Sequence, residues 1–145
     1  MGNIPIWYFV IVPAFGVVYM ISMLMVSKSR KASVKKWLEG NREAEKVYVN
    51  KKNHAVTALL GQLTVHSVDG ESPKFFYDKL SQGFYVTPGT HTVESSFVTS
   101  RPGILYRRVT TTFGPSKQEI CAEANKTYNY IFDTKEKAYR FELMD

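Results

Sequence analysis

The stretch GFYVTPGTHTVESSF, Gly83 to Phe97, decides how most of this chain folds. At its centre Thr87-Pro88-Gly89-Thr90 reads as a tight turn, with Pro88 presetting φ and Gly89 taking the positive-φ position of a type II geometry. After the turn, Val93, Ser95, Phe97 and Thr99 fall on one side of an extended chain, and Thr92, Glu94, Ser96 and Val98 on the other. One side is therefore expected to bury and the other to face water.

Working outward, the same mixture of β-branched and aromatic runs punctuated by turn residues continues in both directions. Strands are expected at Lys46–Val49, Leu59–Val68, Gly83–Val86, His91–Thr99, Ile104–Phe113, Gln118–Ala122, Thr127–Phe132 and Ala138–Leu143. Asp69-Gly70 closes the second of these. Arg101-Pro102-Gly103 and Phe113-Gly114-Pro115 are read as hairpin turns, with Asn125-Lys126 as the next. Between Glu71 and Gln82, Phe75, Phe76 and Leu80 fit a loop or a helical turn equally well, making this the least regular segment expected. The fold class is mainly β: an antiparallel β-sandwich of about seven or eight strands over residues 47–145.

Ahead of it lies a different kind of sequence. Ile4 to Val26, IPIWYFVIVPAFGVVYMISMLMV, holds no Asp, Glu, Lys, Arg or His and is apolar all round. As a helix it would span about 34 Å, enough to cross a hydrocarbon core of about 30 Å. Residues 1–27 are thus read as a single transmembrane anchor. It lacks the basic start and small-residue cleavage site of a signal peptide, so it is expected to be retained. Pro13, without a backbone N–H, should bend it. Residues 28–46 then read as a short basic juxtamembrane helix and linker ending near Gly40-Asn41, with Val34, Trp37 and Leu38 on one side.

The charge distribution narrows the partners. Net charge is +6 and the pI about 9.4, values that invite a nucleic-acid reading. Yet Lys28, Arg30, Lys31, Lys35 and Lys36 crowd beside the anchor, and beyond position 36 fourteen basic residues face thirteen acidic ones. A nearly neutral domain does not supply a phosphate-binding stripe, so nucleic acid is not an expected partner. The expected partner of the five cations and Trp37 is a bilayer with anionic headgroups. Because Lys and Arg beside a span are kept preferentially in the cytoplasm, the N-terminus is expected outside and the β-domain inside the cell.

Val68-Asp69-Gly70, GFYVTPGTHTVESSF, and AEANKTYNYIF from Ala122 to Phe132, with a closing aromatic strand, together resemble small bacterial envelope β-sandwich domains of the PEGA and DUF2846 type. Those families share a Pro-Gly-x-His turn and an aromatic strand entry. Over about the last 90 residues the resemblance implies a non-enzymatic assembly module, often membrane-attached, at a bacterial inner membrane or, as in exported relatives, with its domain in the periplasm. The chain departs from them in lacking a lipobox cysteine and in placing Asn125 where glycine is usual.

Chemistry is sparse. His54, His66 and His91 lack metal-ligand spacing, and no Walker loop, dinucleotide fingerprint or nucleophile elbow is present. No catalytic residue, metal site or cofactor is expected. His91 is read as a ring bonded to the turn backbone, and Cys121 as a small buried strand residue. Phe84, Tyr85, Tyr106, Tyr128 and Tyr130 are read as core and cross-strand packing. The expected function is a non-catalytic, membrane-anchored accessory subunit whose sandwich contacts other subunits of a membrane complex or further copies of itself. The alternative is a membrane-anchored module binding a lipid headgroup or envelope glycan.

Overall fold

The computed structural model describes residues 7–51, 61–79, 81–101, 103–104 and 107–144. It forms two compact units, a helical one ending at Gly40 and a β unit beginning at Asn41. One helix, α1 (Tyr8–Gly40), precedes eight strands: β1 (Glu45–Val49), β2 (Gln62–Val68), β3 (Lys74–Asp78), β4 (Ser81–Val86), β5 (Gly89–Arg101), β6 (Val109–Ala122), β7 (Thr127–Asp133) and β8 (Ala138–Met144).

The helical unit differs from expectation in its continuity. In place of an anchor followed by a separate short helix, α1 runs unbroken for 33 residues, with Pro13 inside it. Ser27 to Glu39 contains neither Gly nor Pro and includes four Lys along with Arg30, Ala32, Leu38 and Glu39, so nothing interrupts helix propagation beyond Val26. Ser22 Oγ donates back to the Tyr19 carbonyl at 2.7 Å, satisfying its hydroxyl within the apolar stretch. Termination falls at Gly40-Asn41 as expected, and the Ala44 amide bonds the Asn41 carbonyl in the turn that follows.

The β unit is a two-sheet sandwich, ordered β3-β4-β1-β7-β8 in one sheet and β2-β5-β6 in the other. Its pairings are antiparallel apart from β1 and β7, which run parallel through Val47↔Tyr128, Tyr48↔Asn129 and Val49↔Tyr130. The chain leaves β6 at the end where β1 begins: the Asn125 amide bonds the Glu45 carboxylate there. Entering the opposite sheet from that end, β7 must point the same way as β1.

Side-chain alternation builds the core. Val47, Val49, Phe84, Val86, Tyr128 and Tyr130 from the five-stranded sheet meet Val65, Val93, Ile120 and Ala122 from the three-stranded one. Each such buried aliphatic or aromatic side chain contributes about 1.5–3 kcal/mol. Nearby, Phe97 stacks on Phe132 with ring centroids 4.4 Å apart, and Phe113 packs against Phe132 at 5.1 Å.

Four local readings change. The segment expected to be least regular is β3 and the start of β4. It escapes period-two detection because Phe75 packs toward the core while Phe76 lies over Gly83 on the outer face. Phe113-Gly114-Pro115 is no hairpin turn. β6 passes straight through it, and Gly114 and Pro115 form a bulge opposite Ser96 as the register steps from Ser95↔Ser116 to Phe97↔Phe113. Gly114 has φ 88° there, and β6 is an outer strand of its sheet, where the missing N–H of Pro115 is tolerated. Asn125-Lys126 likewise joins the two sheets and closes no hairpin. Cys121, expected to be buried, is exposed on β6.

Candidate functional site

α1 carries the residues the sequence marks as functional. Every described side chain from Ile11 to Ser33 is exposed, including Phe15 at 73% and Met25 at 68%. From Ile11 onward the helix is long and apolar enough to cross a membrane. An exposed apolar surface on all sides is costly in water, and a hydrocarbon environment removes that cost.

Continuity of α1 sorts the five cations by depth. Lys28, Arg30 and Lys31 lie within about 8 Å of Val26 along the axis, whereas Lys35 and Lys36 lie about 14 and 15 Å beyond it. With a Debye length of about 8–10 Å, a headgroup layer at Val26 would attract the first three far more strongly than the last two. All five are exposed. Lys28, Lys31 and Lys35 recur at helical spacing on one side, while Arg30, Val34 and Trp37 share the opposite side, with Val34, Trp37 and Leu38 half-buried.

Pro88 and Gly89, the residues of the turn read first, connect β4 in one sheet to β5 in the other. Gly89 has φ 135°, a positive value as expected but beyond the type II ideal of about 80°. Next to it, His91 does bond the turn: Nε2 donates to the Thr87 carbonyl at 2.7 Å. Its Nδ1 faces Asp69 Oδ2 at 2.6 Å, a partner 22 residues away that no local pattern announced. Asp69 Oδ1 also accepts the Thr92 amide at 2.8 Å, and its own amide donates to the Thr92 carbonyl. The His91 hydrogen bond, followed by the Thr92 amide, holds the Asp69 carboxyl below the ordinary carboxylate range. With both ring nitrogens engaged, His91 has no free nitrogen for proton transfer to a substrate, and this cluster is a latch between the Asp69-Gly70 and Pro88-Gly89 turns.

The remaining polar groups also serve packing. His66 Nε2 is 2.7 Å from Ser96 Oγ, and His54 lies outside the described residues. Buried between the sheets, Ser95 Oγ and Tyr130 OH are 2.7 Å apart, and burial pushes the Tyr130 phenol up to about 12. Across the sandwich the Tyr139 hydroxyl reaches the carbonyls of Ser95 and Phe113 at 3.2 and 3.3 Å, serving the backbone that the β6 bulge turns inward. On the outer face, the Tyr48 hydroxyl donates to Asp78 Oδ2 at 3.0 Å, and burial followed by that bond raises the Tyr48 phenol. Phe84, Tyr128 and Tyr130 are core residues as expected, Tyr85 packs on Phe76, and Tyr106 lies outside the described residues.

Among the described residues no group of three or more His, Cys, Asp or Glu side chains could hold a metal ion. A cavity of about 210 Å³ opens beside Val49, Gln62, Leu63, Thr64, Val65, Phe75 and Gln82. It is smaller than the roughly 300–1,000 Å³ of typical small-molecule sites. Compared with known protein families, curated proteins and solved structures, the chain matches none.

Proposed function

We propose that this protein is a membrane-anchored, non-catalytic accessory subunit, with α1 crossing the bilayer and the β-sandwich docking to other subunits of a membrane complex or to further copies of itself. One observation carries this reading: α1 is a single helix, apolar up to Val26 and exposed on all sides from Ile11, and exposed cations follow it directly. The charge asymmetry favours an inner-membrane orientation with the N-terminus outside and the sandwich in the cytoplasm. Outer strands β3 and β8 of one sheet and β2 and β6 of the other offer main-chain edges for docking. On β6, the bulge at Gly114-Pro115 and the charge of Lys117 blunt the central part of that edge.

Two measurements test it. Native mass spectrometry from gentle detergent should find the chain in complexes, and a purely monomeric population would refute the assembly role. Single cysteines placed at Asn3 and Lys135 in a Cys121→Ser background should label from opposite sides of the membrane, Asn3 from outside. Labelling of Lys135→Cys from outside would reverse the orientation and bring forward the exported, ligand-binding reading.

A further inference from the structure

The β5–β6 hairpin is longer than the sandwich that carries it. β5 is 13 residues and β6 14, whereas the other strands have five to seven. Past the Gln62↔Val98 pair no third strand accompanies it among the described residues, where Thr99↔Thr111, Ser100↔Thr110 and Arg101↔Val109 continue the two-stranded pairing. Toward its tip Arg101, Arg107 and Arg108 are exposed, and Ile104 is exposed to 103%, the most exposed large apolar side chain described. Between Glu94 and Glu119 the sequence holds four basic residues and no acidic one. In a domain otherwise close to charge balance, this is a locally cationic ribbon with an apolar residue offered to solvent at its end.

We infer that this ribbon tip is a second membrane contact, docking Ile104 and the flanking arginines onto the anionic headgroups of the bilayer that holds α1. The inference rests on the reading of α1 as the anchor, because the tether is what supplies the surface at high effective concentration. Cationic side chains around an exposed aliphatic one match the chemistry of an anionic interface, where charge attraction adds to insertion of the apolar group. Reach permits it. The linker joins β1 at Glu45, paired with Val86, beside the end where β5 starts, so the tip lies at the far end of a strand about 40 Å long. Ser27 to Gly40 adds only about 21 Å of helix beyond Val26. A ribbon longer than the stalk can return to the surface from which the stalk rises.

The test uses the full chain, one copy per nanodisc, in phosphatidylcholine alone or mixed with phosphatidylglycerol. An environment-sensitive fluorophore is placed at Thr111→Cys in a Cys121→Ser background, with an Ala124→Cys control at the opposite end of the sandwich. In mixed discs the Thr111 probe should be quenched by doxyl-labelled lipid and shielded from iodide, and much less so in phosphatidylcholine alone; the Ala124 probe should remain wet in both. At about fivefold per charge, Arg107→Gln/Arg108→Gln should lower the docked-to-undocked ratio about 30-fold, and Ile104→Ser should lower it as well. An unchanged near-UV circular dichroism spectrum verifies that these surface variants are folded. A Thr111 probe as wet as the Ala124 control in mixed discs overturns the inference. So does shielding that arises only when separate anionic vesicles, a polynucleotide or an acidic protein is added. Quenching of tryptophan fluorescence by the same doxyl lipids reports insertion of α1 independently, so failure of the tip and failure of the anchor are distinguishable.

Discussion

The hydrogen bond between Ser95 and Tyr130 joins the two sheets through their shared interior, and breaking it should have asymmetric consequences. Ser95 is fully buried and Tyr130 is 1% exposed, so either hydroxyl left alone would have no water to replace its partner. Tyr130→Phe orphans the serine hydroxyl and Ser95→Ala the phenol, each at a cost of about 1–3 kcal/mol. Tyr130→Phe/Ser95→Ala removes both groups and should cost less than either single change, giving a coupling of about 1–3 kcal/mol. Alkaline titration supplies a second readout. Because burial raises the folded-state phenol to about 12 from its ordinary 10, the unfolded chain releases this proton first as pH rises. The stabilising contribution is complete below pH of about 10 and is lost between about 10 and 12, amounting to about 3 kcal/mol. Guanidinium unfolding of the full chain in detergent micelles, followed by near-UV circular dichroism at neutral pH and across that alkaline window, measures both effects. A double variant whose cost equals the sum of the singles would refute the pairing argument. Wild type and Tyr130→Phe losing stability in parallel above pH 10 would refute the titration argument.

Gly83→Ala should be strongly destabilising, by about 3 kcal/mol or more, because the new Cβ would sit 2.5 Å from the Val47 carbonyl oxygen and collide with the Phe76 ring; trimming the ring with Phe76→Leu should recover only part of the loss in thermal unfolding. Asp69→Asn should cost about 1 kcal/mol at neutral pH and remove an acid-sensitive contribution. Since the Asp69 carboxyl is lowered in the folded state, wild-type stability from this latch is present above its unfolded value near 3.8 and lost as pH falls through the lower folded value, a slope that acid titration should find missing in the variant. Converting Lys28, Arg30 and Lys31 to Gln should weaken the inside bias of the flank more than converting Lys35 and Lys36, as scored by protease protection in inverted vesicles; equal effects from the two sets would contradict the depth ordering along α1.

Local chemistry made much of this fold legible. Apolar run length marked the anchor, alternation marked β5, β-branched and aromatic composition marked β7 and β8, and Gly40-Asn41 marked the helix end. What escaped has physical reasons. β3 buries Phe75 inward and rests Phe76 on Gly83 outward, so its two faces look alike in sequence. Gly114-Pro115 has the composition of a turn, and only its position on an outer strand makes it a bulge. The parallel partner of β1 lies about 80 residues away, where no local pattern can point to it. At the candidate site, the identities of the five cations were plain, but their spread along a continuous helix depended on residues 27–39 having no breaker. The Asp69–His91 contact needed two turns from different strands to be brought together.

That parallel pairing also sets a timetable. β1 is the strand nearest the anchor and among the first parts of the domain to leave the ribosome, yet it is the middle strand of its sheet and needs β7 to complete it. From Val49 to Thr127 synthesis takes about 4–16 s at about 5–20 residues per second. Until Ser81–Val86 is made, Val47, Tyr48 and Val49 lack both neighbours, and for the rest of the interval one, while already tethered by α1, so any factor that shields nascent chains would find its target at the start of the domain. The sheet closes only when nearly the whole chain has been made.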